Sequence, residues 1–225
     1  HAIAIDVQRV QSKGGIVALL VEDHTNPIIN AKIVFRGGSA LDPENLEGLT
    51  SMVSSLLDEG AATLDSQSFQ QRIKDLAMSL SFSASREVFG INLTTLTRNS
   101  EEAFSLLNLS LSQPRFDEEP VARIRSQTHA HLRQISEDPS AIAGQALFKI
   151  LFDNHAYSRL GHGTPKSIDA ITSDTMHRFV QRRFAKDNMV IGIVGDINAE
   201  TLAELLDKTF SFLPDNAMPW ALPEV

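Results

Sequence analysis

The sequence predicts an α+β fold, a mostly antiparallel sheet layered with helices. Three observations lead there. Residues 79–85 and 89–97 alternate strictly, with Leu80, Phe82 and Ala84, then Phe89, Ile91 and Leu93, on one side of each run. The first 35 residues hold three further β-type runs, punctuated by Gly14-Gly15 and Asn26-Pro27. Most of the remaining chain carries apolar residues at the three-and-four spacing of a helix face.

The elements follow in order. Residues 5–10 alternate, 16–21 form a buried-type run, and 28–35 alternate again with β-branched side chains. Gly37-Gly38 closes the third strand, and Asp42-Pro43-Glu44 leads into a helix over residues 48–60, with Gly60 as its terminator. Leu46, Leu49, Val53 and Leu56 form the apolar stripe of that helix, widened by Met52 and Leu57. Asp65 caps a second helix, whose inner face is Phe69, Ile73 and Leu76. The alternating pair at 79–97 follows, with a wet face rich in Ser and Thr. Asn99 and Glu102 have the spacing of a capping box for a helix over 100–111. A long helix covers 118–137, Pro139 breaks it, and another covers 140–152. Residues 153–167 read as a polar loop. Ser173 caps a helix through Met176, Phe179 and Val180; 189–194 is a buried strand; Asn198 caps the last helix, with Leu202, Leu205, Leu206 and Phe210 inward.

Composition narrows the function. A net charge of −8 leaves no basic face to neutralise phosphates, which argues against nucleic-acid binding. No apolar run approaches the ~18–20 residues of a membrane span. With no cysteine, disulfides, thiolate zinc sites and a thiol nucleophile are excluded. The chain opens on His1, as a processed terminus would, and residues 214–225, with three prolines and the single tryptophan, read as a linker.

The first helix carries the informative pattern. Ser51, Ser54 and Ser55 stand at i, i+3 and i+4 and share one short patch. That spacing is the one at which a His-x-x-Glu-His motif sets two imidazoles and a carboxylate on a helix turn to bind zinc and activate water. A neutral hydroxyl is a poor zinc ligand and no general base near pH 7.

Residues 7–213 resemble one half of a protein of the pitrilysin family, the inverzincins that include insulin-degrading enzyme and the mitochondrial processing peptidases. The resemblance rests on segments that recur in order: Gly15-Ile16 to Asp23, Asn26-Pro27, Arg36-Gly37-Gly38-Ser39, Gly48-Leu49, Gly163-Thr164-Pro165, Phe184 to Met189, and Val194-Gly195-Asp196. It implies that Ser51 and Ser55 stand where the family has its two histidines and Ser54 where it has the glutamate base. The third ligand, a glutamate on a later helix, falls near Ala130 and His131, and no carboxylate lies between Arg125 and Ser136. The resemblance therefore implies a member without catalytic residues, cofactor or metal. Residues 1–213 would be one half and 214–225 the start of the connection to a second. The implied partner is a homologous zinc-peptidase subunit or that second half, and the implied compartment is the periplasm or cell envelope. Peptide substrate would add as a strand to a sheet edge, with the strand at 79–85 as candidate.

Two other readings are open at this stage. One is a hydrolase with a non-standard site built from His155, His162 and Asp153, in the only histidine-rich polar loop. The other is a standalone peptide-binding adaptor. His129 and His131, two apart on a helix, point about 200° from each other and do not share one ion; one should be half-buried and the other wet. A serine nucleophile lacks the G-x-S-x-G elbow.

Overall fold

A computed structural model describes residues 6–218 of the chain. The fold is α+β, as the sequence predicts. Six strands form one sheet: β1 (Gln8–Gln11), β2 (Val17–Glu22), β3 (Ile28–Arg36), β4 (Ser79–Ala84), β5 (Val88–Leu96) and β6 (Met189–Gly195). Their order is β1-β2-β6-β3-β5-β4. Every neighbouring pair is antiparallel except β2 with β6, which run parallel with Leu20 opposite Ile193.

Among the described residues the α-helices are α1 (Leu49–Ser54), α2 (Ser66–Asp75), α3 (Ser100–Ser112), α4 (Glu118–Glu137), α5 (Pro139–Phe152), α6 (Pro165–Ala170), α7 (Ser173–Arg183) and α8 (Ala199–Phe210). Strand alternation decides which sheet face meets them. Ala18, Leu20, Ile29, Ile33, Phe35, Ile191 and Ile193 are buried, while their strand neighbours Leu19, Val190 and Val194 stay nearly half exposed at 48%, 47% and 46%. One face is core and the other is open. At the β4 end of the sheet, Phe35, Phe89, Phe179 and Phe184 form an aromatic cluster, with Phe35 and Phe184 centroids 4.5 Å apart.

Several local expectations need correction. The serine helix stops at Ser54 and continues only as turns, so Gly60 (φ 119°) ends a loop and not the helix. Residues 153–167 are not one loop; a 3-10 turn at Ala156–Ser158 and the start of α6 lie inside them. Thr172, not Ser173, caps α7: its hydroxyl accepts from Thr175 N while Ser173 donates to Phe116 O at 3.0 Å. Asn99 makes no side-chain cap for α3, because its amide donates to Leu76 O at 2.7 Å and Glu102 is drawn to Arg72. In each case a tertiary partner wins over a local one. The caps expected at Asp65 and Asn198 are present, on Ser68 N and Thr201 N. The first strand begins at Gln8; its expected start at residue 5 lies outside the described residues, as do residues 219–225 of the expected linker. Pro214 and Asp215 carbonyls accept from Lys186 N and Asp187 N, which ties the near part of that segment to the body.

Candidate functional site

A groove of about 440 Å³ opens where α1, α4, α5 and the end of β4 converge. Ser51 is on its floor, Ile135 and Phe148 are on its helical walls, and Ala84 and Ser85 lie at its strand side. Among the described residues β4 is the last strand of the sheet, and one of its backbone edges has no strand partner there. Its side chains alternate, with Ser79, Ser81 and Ser83 exposed and Leu80 turned to the core.

Backbone capping fixes α1 in place. Asp42, buried just before it, accepts from Gly48 N at 3.0 Å, Thr50 N at 3.2 Å and the Thr50 hydroxyl at 2.5 Å. Burial pushes this carboxyl up to about 6, against the pull of the Thr50 hydrogen bonds and the nearby Arg183. At the other end, Glu59 accepts from Arg123 of α4 at 2.6 Å and from the Ser66 hydroxyl at 2.5 Å. Glu59 thus tethers α4, while the neighbouring Asp58 accepts from the Gln70 side chain of α2, and burial raises the Asp58 pKa. Glu59→Gln should lower stability by no more than about 1 kcal/mol, since Arg123 is over a third exposed; urea titration measures it.

The three serines keep the predicted spacing but not the predicted company. Ser54 is buried and Ser55 exposed, and both hydroxyls turn back onto their own helix, donating to Ser51 O at 2.8 Å and 3.1 Å. Such back-bonding satisfies the serine locally and weakens the helix at that point, consistent with α1 ending there. No imidazole is hydrogen-bonded to Ser51, Ser54 or Ser55 among the described residues, so the base a serine nucleophile needs is not in place.

His131, near where the resemblance would set the third ligand, is exposed on α4 and meets His162 edge-on, with ring centroids 5.6 Å apart. His162 keeps surface toward the groove, yet the protein packed around its ring pushes its pKa below the ordinary value, and His131 adds to the effect. His129 points elsewhere, as the helix geometry requires; it is half-buried and pairs with Asp169 of α6 at 2.8 Å. The proposed trio of His155, His162 and Asp153 does not assemble. His155 packs against Tyr157, ring centroids 4.6 Å apart, and its Nδ1 accepts from Tyr157 N, whereas Asp153 accepts from the side chain of Asn154. The chain turn at Asp153 (φ 39°) and the 3-10 turn after it send the three side chains apart.

The zinc that the resemblance implies for active relatives does not fit these residues. Three neutral hydroxyls are poor zinc ligands, and no three His, Cys, Asp or Glu side chains are gathered for a metal ion among the described residues. The groove's other charges are also engaged. Arg159 donates to Ala40 O and Asp42 O at 2.9 and 3.0 Å, and the Arg86 guanidinium lies 4.2 Å from the Phe148 ring centroid. Sequence reading missed both the His131–His162 contact and this Arg86–Phe148–Tyr157 box. The second had a signal, four aromatic rings within residues 148–157; the first had none.

The sequence and the fold recur in known proteins. The sequence model of the insulinase family, peptidase family M16, matches residues 17–163, and that of the peptidase M16 inactive domain matches residues 170–225. The chain is 28% identical to the non-peptidase homolog YmxG of Helicobacter pylori over 95% of its own length and 49% of the relative's. It is 22% identical to a mitochondrial-processing peptidase subunit beta of Dictyostelium discoideum over 77% of its length and 37% of the relative's. The chain thus spans about half, or less, of these relatives. Among solved structures, the peptidase M16 inactive domain from Pseudomonas fluorescens superposes with a TM-score of 0.90 at 25% identity, over 97% of this chain and 53% of that one. The periplasmic protease PqqL from Escherichia coli does so at 0.83 and 18% identity, over 99% of this chain and 26% of that one, which shows the shared fold. With the family match extending over more than half of its length, this chain belongs to the insulinase family, peptidase family M16.

Proposed function

We propose that the chain is a non-catalytic, metal-free M16 half that pairs with an active zinc-peptidase subunit or second half and helps hold extended peptide. One observation carries the reading: the motif positions hold Ser51, Ser54 and Ser55, two of whose hydroxyls are committed to Ser51 O, and His131 lies near where the resemblance would set the third ligand. Without a bound cation no water is activated, and without a carboxylate none is deprotonated. The names given to YmxG and to the Pseudomonas domain agree with this reading.

Two surfaces support the pairing. The sheet's open face presents Leu19, Val190 and Val194, and α5 buries none of its residues, leaving Ile150 79% and Leu151 61% exposed. Apolar surface of that extent is what a partner covers. Residues 1–213 then form one half and 214–225 lead toward the next, in keeping with a chain that spans half of YmxG. The β4 edge beside the groove, unpaired among the described residues, supports peptide addition as a strand. The compartment in this reading is the periplasm or envelope, an expectation from the family resemblance.

The test is metal analysis and peptide cleavage on the purified chain. We expect sub-stoichiometric zinc after exposure to excess metal and no cleavage of unstructured fluorogenic peptides. One zinc per chain together with chelator-sensitive cleavage would overturn the reading.

A further inference from the structure

A second cleft lies on the other side of α1, between α7 and the segment that leads into α1. Its volume is about 470 Å³. Leu41, Pro43, Leu46, Leu49 and Phe179 supply apolar walls, and Arg178, Arg182 and Arg183 line the same space.

Three features set it apart from ordinary surface. First, neither Arg178 nor Arg182 makes an ion pair among the described residues, and Arg183 has only the nearby Asp42 carboxylate for a counter-charge, although the chain as a whole is acidic, with a net charge of −8. The helix dipole accounts for Arg182 and Arg183 in the last turn of α7 but not for Arg178 one turn earlier, and like charges four apart on a helix repel. Second, Arg183 uses one guanidinium nitrogen on Leu41 O, while Nη1 is buried without a hydrogen-bond partner. A buried unpaired donor costs free energy until something accepts from it. Third, the cationic groups sit against apolar walls, so an occupant must combine carboxylates with bulky apolar groups.

We infer that this cleft is a docking site for an acidic polypeptide segment that alternates carboxylates with large apolar side chains. The spacing favours a polypeptide over a single headgroup. Arg178 and Arg182 repeat along the helix at roughly 6 Å, close to the two-residue repeat of an extended chain. The inference does not depend on the absence of zinc or on the β4 edge.

The test uses fluorescence anisotropy with three short synthetic peptides, of alternating Leu and Glu, Leu and Lys, and Ser and Glu. The Leu–Glu peptide should bind saturably and lose affinity as salt rises, and the other two should bind at least about tenfold more weakly. The exposed pair Arg178→Ala/Arg182→Ala should weaken Leu–Glu binding about tenfold or more while leaving the thermal midpoint in place. Unchanged affinity in that variant, or equal binding of the Leu–Lys peptide, would overturn the inference. So would decanoate binding in place of the peptide, which assigns the cleft to a small amphiphile. A rise in affinity on Trp220→Ala/Glu224→Ala would also overturn it, by assigning the cleft to the chain's own end.

Discussion

Phe89→Ala is expected to lower the unfolding free energy by about 4 kcal/mol. Phe89 is 1% exposed, on β5, opposite Phe35 on one side and Ala84 on the other. Its ring lies 5.0 Å from that of Phe184, 6.1 Å from that of Phe179 and 6.3 Å from that of Phe82. Truncation removes the transfer free energy of the ring, opens a cavity bounded by sheet backbone that does not collapse, and ends three ring–ring contacts. For a chain of this size the midpoint of thermal unfolding should fall by roughly 8–16 °C. Phe89→Leu should recover most of the loss. Because Ala84 pairs with Phe89 and also lines the groove, the same substitution should also weaken the peptide binding proposed for that groove, beyond its effect on stability. A loss under about 1 kcal/mol would mean that the cluster repacks freely.

The second large effect is a dependence on pH. Asp42 titrates at about 6 in the folded chain against an ordinary 3.8, because burial disfavours its charge. Between those values the folded state holds a proton that the unfolded state has released. The group's stabilising contribution is therefore full below pH ~4 and is lost as pH rises through 6, with slope set by the difference in bound protons. The shift corresponds to about 3 kcal/mol. Asp42→Asn removes the titration, so the stability advantage of the natural chain over the variant should shrink by about that amount from pH 4 to pH 7. Urea unfolding of both proteins across that range gives the difference directly; parallel stability curves would refute it. The consequence reaches the groove, since Asp42 organises the backbone that starts α1 and so places Ser51.

Much of this was legible in the sequence because the signals are local. Alternation gave β4 and β5 nearly to their ends, and three-and-four spacing gave α2, α3, α4 and α8. The serine triplet was legible as a loss of donors. What the sequence could not supply is non-local. The separation of His155 from His162 depends on the 3-10 turn that lies between them, which leaves no periodic trace. The His131–His162 contact joins α4 to a segment 31 positions later, and the Arg183 guanidinium crosses to Leu41 over a separation of 142. Caps misled for the same reason. Asn99 and Ser173 have suitable chemistry, but Leu76 O and Phe116 O lie closer in space.

The position of β6 has a bearing on how the chain acquires its structure during synthesis. This strand comes from near the far end of the described residues yet sits in the middle of the sheet, joining β2 to β3. Until residue 195 has left the ribosome, β1-β2 and β3-β5-β4 are two separate fragments, each with an unsatisfied edge. Closure of so long a loop makes the last step slow, and the waiting edges are open to mispairing with other chains. Nascent chains stopped before residue 189 should accordingly be protease-sensitive throughout, while those that display β6 and α8 should become resistant in a single late step.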